Sequence, residues 1–354
     1  MIKKKMLYIM AVDWEWIYQR PHVFAKQLAE DYDVTVVFPR SIVNFNKGLT
    51  VEKGISFRIL WTIPFQEKNE LLGRIVRGIH DRIFEDIDSF DCVFVGYPLY
   101  ARYIPEDYKG KIIYDCMDNH EALYPDRRGV YKMVKEEKNV ILRSDLILAS
   151  AAFLVEKIKK IRPEAKCILV RNGMGVQVIH IPAAPVVKKK YNIGYFGTIS
   201  KWFDYPLIQK SLKQNENISY RLIGPADTKV DDSRIIYHGT VAHGELWNSI
   251  KDVDCLIMPF IVNDIVKAVD PVKFYEYIAF GKCIISVYYP EIERFKDFVY
   301  FYNNEQEYME LLNKLQKNGF QPKYDAAKQK EFLANNTWEK RYEQLRKELM
   351  EVTI

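Results

Sequence analysis

The chain has 354 residues, 48% hydrophobic and 28% charged, with 16 Gly and 15 Pro; that composition excludes long disorder, collagen-like repeats and low complexity, and the length suits two domains. Lys and Arg exceed Asp and Glu by 52 to 47, too small a surplus to argue for nucleic acid. The strongest apolar runs, around Ile141 to Val155 and Val253 to Val262, are interrupted by Arg143, Asp145 or Asp254, so no stretch of about 18 uncharged residues can span a bilayer.

The N-terminus, Met1-Ile-Lys-Lys-Lys-Met, leads straight into a strand pattern without a signal-peptide core, which predicts a cytoplasmic location. Seven strands are predicted in the first part: Lys5 to Val12, Asp33 to Phe38, Ile55 to Trp61, Asp91 to Gly96, Lys111 to Cys116, Asp145 to Ser150 and Lys166 to Arg171. Six follow in the second: Tyr191 to Phe196, Ile218 to Ile223, Arg234 to His238, Asp254 to Phe260, Cys283 to Val287 and Val299 to Tyr302. Several are continuous apolar runs alternating with helical stretches, the pattern of parallel sheets covered on both faces. The five cysteines, Cys92, Cys116, Cys167, Cys255 and Cys283, are scattered among these strands and read as buried free thiols.

The alternation breaks between Val176 and Lys190, where two prolines and Lys188-Lys189-Lys190 replace helical periodicity. The expected organisation is therefore α/β, with a first Rossmann-like domain over 1–178, a linker over 179–190 and a second over 191–336. A C-terminal helix, 337–354, is expected to pack back on the first domain. Ligands of such sheets sit beyond the carboxyl ends of the strands, which predicts an interdomain cleft and directs attention to the loops.

In the loop after the first strand, Asp13, Trp14 and Trp16 offer aromatic faces for a sugar, or else cover a hinge. Arg20 and His22 open the following helix, where a cation opposes the helix dipole; an anionic ligand or a neighbouring carboxylate would account for it. The helix from Glu70 to Asp86 carries Leu71, Leu72, Ile75, Val76, Ile79 and Ile83 beside Arg74, Arg77 and Arg82, and Asp126 to Arg143 is also rich in basic residues. Such faces suit either an anionic bilayer or a protein core.

Asp115, Asp118 and His120 stand at or just past a strand end, where a carboxylate or imidazole can take a proton from a ligand hydroxyl. The other role open to Asp118 is helix capping, with Glu121 three residues on. In the second part, Gly197-Thr198, Gly224 and His238-Gly239-Thr240 end successive strands, where glycine allows backbone N–H groups to approach a phosphate or simply makes a turn. Pro271 suits the first turn of a helix, so the free N–H groups near Val272 and the charge of Lys273 describe a phosphate site, and Glu276 can take a ribose diol. An ordinary amphipathic helix with solvated Lys and Glu fits the same spacing.

The segment Pro271-Val-Lys-Phe-Tyr-Glu-Tyr-Ile-Ala-Phe-Gly-Lys-Cys-Ile-Ile resembles the glycine-containing donor-site signature of GT-B nucleotide-sugar glycosyltransferases, and most nearly the bacterial exopolysaccharide and teichuronic-acid type. The stretch from Asp13 to Ala29, with Gln19-Arg20-Pro21-His22, resembles their opening, and Tyr114-Asp-Cys-Met-Asp and Gly194-Tyr-Phe-Gly-Thr-Ile-Ser-Lys are similar to further motifs. The resemblance implies a GT-B fold and transfer of a sugar from a nucleoside diphosphate, with UDP first and GDP open, to a saccharide or lipid-linked acceptor in surface polysaccharide synthesis. It implies a donor held by Gly197, Thr198, Gly224, His238, Gly239, Thr240, Pro271, Val272, Lys273 and Glu276, and an acceptor or diphosphate met by Asp13, Trp14, Trp16, Arg20 and His22. Asp118 matches the catalytic Asp of the inverting glucuronosyltransferase of xanthan synthesis, with Asp115 and His120 in reserve. No metal or other cofactor is expected; the expected location is the cytoplasm, with peripheral contact on the cytoplasmic face of the membrane left open.

Two departures stand out. Retaining relatives carry a carboxylate eight positions before the residue matching Glu276, where this chain has Ala268; Asp264 and Asp270 are nearby without that spacing. Where relatives have paired glycines after the first strand, this chain has Asp13-Trp14-Glu15-Trp16. A sugar-nucleotide 2-epimerase on the same fold and a non-catalytic nucleotide-binding or partner-transferase subunit are the competing readings.

Overall fold

The computed structural model describes residues 3–64, 66, 69–123, 127–175 and 178–353. Asp126, the expected start of the second basic helix, and Val176, the expected start of the pattern break, lie outside them. The chain divides into two compact units, Met1–Asn172 with Trp338–Ile354, and Gly173–Thr337.

The first unit is built on seven parallel strands, β1 (Lys5–Ile9), β2 (Asp33–Ser41), β3 (Ile55–Thr62), β4 (Cys92–Val95), β5 (Lys111–Cys116), β6 (Leu146–Ala149) and β7 (Cys167–Leu169), in the order β3-β2-β1-β4-β5-β6-β7. β1, β4, β5 and β6 carry almost unbroken apolar runs because helices cover both their faces. The helices are α1 (Arg20–Asp31), α2 (Glu70–Ile83), α3 (His120–Leu123), α4 (Arg127–Arg143) and α5 (Ala152–Ile161). In the second unit, β8 (Tyr191–Phe196), β9 (Ile218–Ile223), β10 (Ile235–Gly239), β11 (Cys255–Met258), β12 (Cys283–Val287) and β13 (Tyr300–Tyr302) form a parallel sheet ordered β10-β9-β8-β11-β12-β13. Its helices are α6 (Tyr205–Gln214), α7 (Leu246–Ile250), α8 (Val272–Ala279), α9 (Glu305–Lys317) and α10 (Ala326–Asn335).

Each sheet reverses its winding once, between β1 and β4 and between β8 and β11. Loops leaving adjacent strands there diverge to opposite faces and leave a crevice beyond the carboxyl ends. The last helix, α11 (Trp338–Thr353), buries Trp338, Tyr342, Leu345 and Leu349, spaced one turn apart, in the core of the first unit. Tyr342 and Arg346 both bind the Asp31 carboxylate at the end of α1, at 2.8 and 2.7 Å.

The stretch read as a linker is counted with the second unit. The His180 ring lies parallel to Trp247 with centroids 3.4 Å apart, and its backbone N–H donates to the Ala279 carbonyl at 2.7 Å. All five cysteines carry free thiols; Cys167 is half-buried and the others are fully buried. The stripe predicted on α2 divides between two faces: Val76 is buried, whereas Leu71, Ile75 and Ile79 are 69, 53 and 48% exposed. No helix among the described residues is long and apolar enough to cross a membrane.

Candidate active site

In the second unit the predicted donor residues all leave the carboxyl edge of one sheet. Gly197 and Thr198 follow β8, Gly224 follows β9, Gly239 and Thr240 end β10, and α8 begins after β11. Gly197 and Gly224 have φ of 129° and 133°, a region closed to most side chains. A Cβ at Gly224 would collide with the Gly197 carbonyl, and a Cβ at Gly197 would collide with the Lys273 side chain. The two bare loops therefore lie against each other, and the Lys273 stem crosses directly over Gly197.

Pro271 is the residue that caps α8, one position earlier than a first-turn proline, so the orphan N–H groups of the helix begin at Val272. Among the described residues the Lys273 ammonium has no hydrogen-bond or ion-pair partner; it stands 5.9 Å from the centre of the Tyr195 ring. Burial lowers its pKa below the ordinary lysine value, opposed by the charge of Glu276. Tyr195 donates to the Thr198 carbonyl at 2.9 Å and so fixes the loop beside it. Glu276, buried, lies one helical turn beyond Lys273, while His238, Gly239 and Thr240 are exposed at the end of β10. A desolvated cation, helix-terminal N–H groups and side-chain-free loops at one edge can together hold a diphosphate.

Neither neighbour of Ala268 supplies the carboxylate absent there. Asp270 is buried against Arg294 and the Tyr275 hydroxyl, and Asp264 pairs at the surface with Lys267 at 3.2 Å. Ala268 itself is buried.

In the first unit the loop after β1 is drawn inward. Asp13 takes a two-pronged contact from Arg40 at 2.8 and 2.9 Å. Trp14 is 5% exposed and packs against Phe57 and His22, with centroids 4.9 and 5.1 Å away, so its faces are not open to a sugar; Trp16 is 63% exposed and is. The His22 ring is buried, bonded through Nε2 to the Trp14 carbonyl at 3.0 Å, and burial lowers its pKa. Of the two partners open to Arg20, an anionic ligand and a neighbouring carboxylate, the ligand is the one its place in the Gln19-Arg20-Pro21-His22 motif favours. The structure instead places its guanidinium on Asp115, Nη2 to Oδ1 at 2.7 Å and Nε to Oδ2 at 3.0 Å, while Nη1 donates to the Val170 carbonyl at 2.7 Å. Asp115 is 0% exposed and both its oxygens are engaged.

Asp118 differs from its neighbour. It follows β5, is half-buried at its surface yet closely surrounded, and no described side chain donates to its carboxylate. Burial first, then the charge of Asp115, raises its pKa above the ordinary carboxylate value, with Arg20 opposing. A carboxylate so raised is a stronger base. His120 follows, 3% exposed and set edge-on to Tyr97; its Nε2 has no partner among the described residues, and burial, aided by the Lys157 charge, lowers its pKa to about 4. It stays neutral at physiological pH. Two residues the sequence did not single out, buried Glu137 and half-buried Lys157, lie behind this loop; both sit in charge-rich helical stretches where nothing marks them apart. Among the described residues no group of three or more His, Cys, Asp or Glu could hold a metal.

The chain matches no family model. It is 25% identical over 232 residues to TuaH of Bacillus subtilis (strain 168), whose name assigns it to teichuronic acid biosynthesis as a glycosyltransferase; the match covers 59% of this chain and 58% of that protein. Among solved structures, sucrose-phosphate synthase (tll1590) of Thermosynechococcus elongatus superposes with a TM-score of 0.76 at 9% identity, over 99% of both chains. HepE (Alr3699) of Anabaena, solved in complex with UDP and glucose, gives 0.71 at 12%, covering 98% of this chain and 100% of that one. The lipopolysaccharide outer core galactosyltransferase WaaB gives 0.66 at 12%, covering 98 and 99%. These likenesses establish the fold, an α/β pair of doubly wound units of the GT-B kind.

Proposed function

We propose that this chain transfers a sugar from a nucleoside diphosphate, UDP first, to a saccharide or lipid-linked acceptor in surface polysaccharide synthesis. The observation that carries the reading is Lys273, a half-buried ammonium at the head of α8 that has no anionic partner among the described residues and lies across the bare Gly197 loop. TuaH lends support through the 59% of this chain that it matches, and HepE through the UDP and UDP-glucose bound in its own structures.

In this reading the acceptor hydroxyl oxygen attacks the anomeric carbon, the bond from that carbon to the diphosphate oxygen breaks, and its electron pair stays with the nucleotide. Lys273 and the α8 N–H groups stabilise that charge; Gly197, Thr198, Gly224, His238, Gly239 and Thr240 border the nucleotide, and Glu276 takes the ribose diol. Asp118 accepts the acceptor proton. Transfer proceeds in this scheme without an essential metal, the cation at the diphosphate being Lys273.

Contact with an anionic bilayer belongs to the same proposal. The outward face of α2 sets Leu71, Ile75 and Ile79 among Arg74, Arg77 and Arg82, and the outward face of α4 sets Tyr131, Val134 and Leu142 among Lys135 and Lys138. Aliphatic side chains standing in water beside cations suit an interfacial helix.

A thermal-shift series with UDP, GDP, ADP and CMP, then the matching nucleotide sugars, tests the donor site. Ligand at about 100 times its Kd adds about 2.7 kcal/mol. A shift with one nucleotide that both Lys273→Ala and Glu276→Ala abolish is expected; no shift with any would turn the reading toward a non-catalytic subunit.

A further inference from the structure

Behind the loop that carries Asp118 lies a charge pair, buried at Glu137 and half-buried at Lys157, that the proposed chemistry does not use. Lys157, on α5, donates to Glu137 Oε2 on α4 at 2.8 Å and to Asn119 Oδ1 at 2.9 Å, and its ammonium lies 3.6 Å from Glu121 Oε2. Glu137 is 2% exposed and also receives the Tyr114 hydroxyl of β5 at 3.1 Å. The loop is tied from the sheet as well, where Ser150 Oγ donates to the Met117 carbonyl at 2.9 Å.

A buried ion pair adds little stability compared with apolar residues of the same volume, because desolvation cancels most of the attraction. What this pair adds is direction. One ammonium reaches helix α4, the residue after Asp118 and the first turn of α3 at once, so the 117–121 backbone has one place to sit.

We propose that Lys157, held by Glu137, is a positioning residue that fixes the 117–121 loop and with it the Asp118 carboxylate. The inference rests on the reading of Asp118 as the base of the transfer. Lys157 touches no reacting atom in this scheme; it acts through Asn119.

The test compares the full-length wild type with Lys157→Met and with the double variant Lys157→Met/Glu137→Leu. The double variant leaves neither member of the pair buried alone, so it keeps the fold. Hydrogen exchange over 117–121 is expected to quicken at least about tenfold in both variants while β1 and β6 stay protected. For UDP release from UDP-glucose, kcat is expected to fall at least about tenfold with KM within about twofold, the pattern of a lost transition-state interaction. Unchanged loop exchange in the double variant overturns the proposal, and so does a faster-exchanging loop with unchanged kcat. Asp118→Asn separates the two levels. If it turns over like wild type, or if the wild type releases no UDP, the catalytic reading fails, and exchange alone decides whether Lys157 holds the loop.

Discussion

Replacing Arg20 by Met tests whether this guanidinium serves the fold or a ligand. The change removes every donor to Asp115 that Arg20 provides, together with the bond to the Val170 carbonyl, and leaves a carboxylate of 0% exposure without its counter-charge. Breaking one side of a buried pair costs about 3–5 kcal/mol. At about 2–4 °C per kcal/mol for a unit of this size, the melting transition of the first unit should fall by about 6–20 °C. Differential scanning calorimetry reads it, with the UDP-responsive transition marking the second unit. The double variant Arg20→Met/Asp115→Leu, which leaves no charge behind, should recover most of the loss. A fall under about 2 °C in the single variant, accompanied by weaker ligand binding, would refute the argument and return Arg20 to the ligand site.

Asp118→Asn should lower transfer by about 10²–10⁴ while leaving UDP binding intact, measured by UDP release and thermal shift. The raised pKa of Asp118 means its charged form is disfavoured in the fold, so what it contributes to stability is present at low pH and lost as pH rises through the folded value. The same variant should therefore melt higher than wild type at neutral pH, with the difference vanishing at low pH; no difference at any pH would contradict the assignment. His120 works in the opposite sense: its folded pKa of about 4 lies below the usual 6.5, so stability is lost as pH falls through that window, by up to roughly 3 kcal/mol at about 1.4 kcal/mol per unit. His120→Phe should flatten that part of the stability profile, to which His22 and His80, also lowered by burial, add the same slope. Gly224→Ala, forced to φ of 133° against the Gly197 carbonyl, should cost about 1–3 kcal/mol and abolish the UDP-induced shift; a stable variant with normal UDP response would show that the two loops need not touch.

Local pattern determined a great deal of this protein. All thirteen described strands fall where short β-branched and aromatic runs stand between helical stretches, because period and composition are properties of neighbouring residues. That the candidate donor residues share one sheet edge was legible for the same reason: strand, glycine, and the proline-led helix of Lys273 and Glu276 are contiguous or repeat at each strand end. Contacts between distant residues were decided only by the tertiary structure. Arg20 and Asp115 are 95 positions apart, and a cation at a helix start looks the same whether it awaits a ligand or a buried carboxylate. Trp14 and Trp16 are two residues apart, yet one is core and the other open, since the irregular loop between β1 and α1 has no period from which to read a face. The apolar stripe of α2 divided likewise, because periodicity places residues on a common side of a helix without saying what lies against it. Lys157 and Glu137, on separate helices, meet only when the sheet brings α4 and α5 together. Their charges gave no sign of this in the chain, because it is burial that turns a surface-type residue into a structural one.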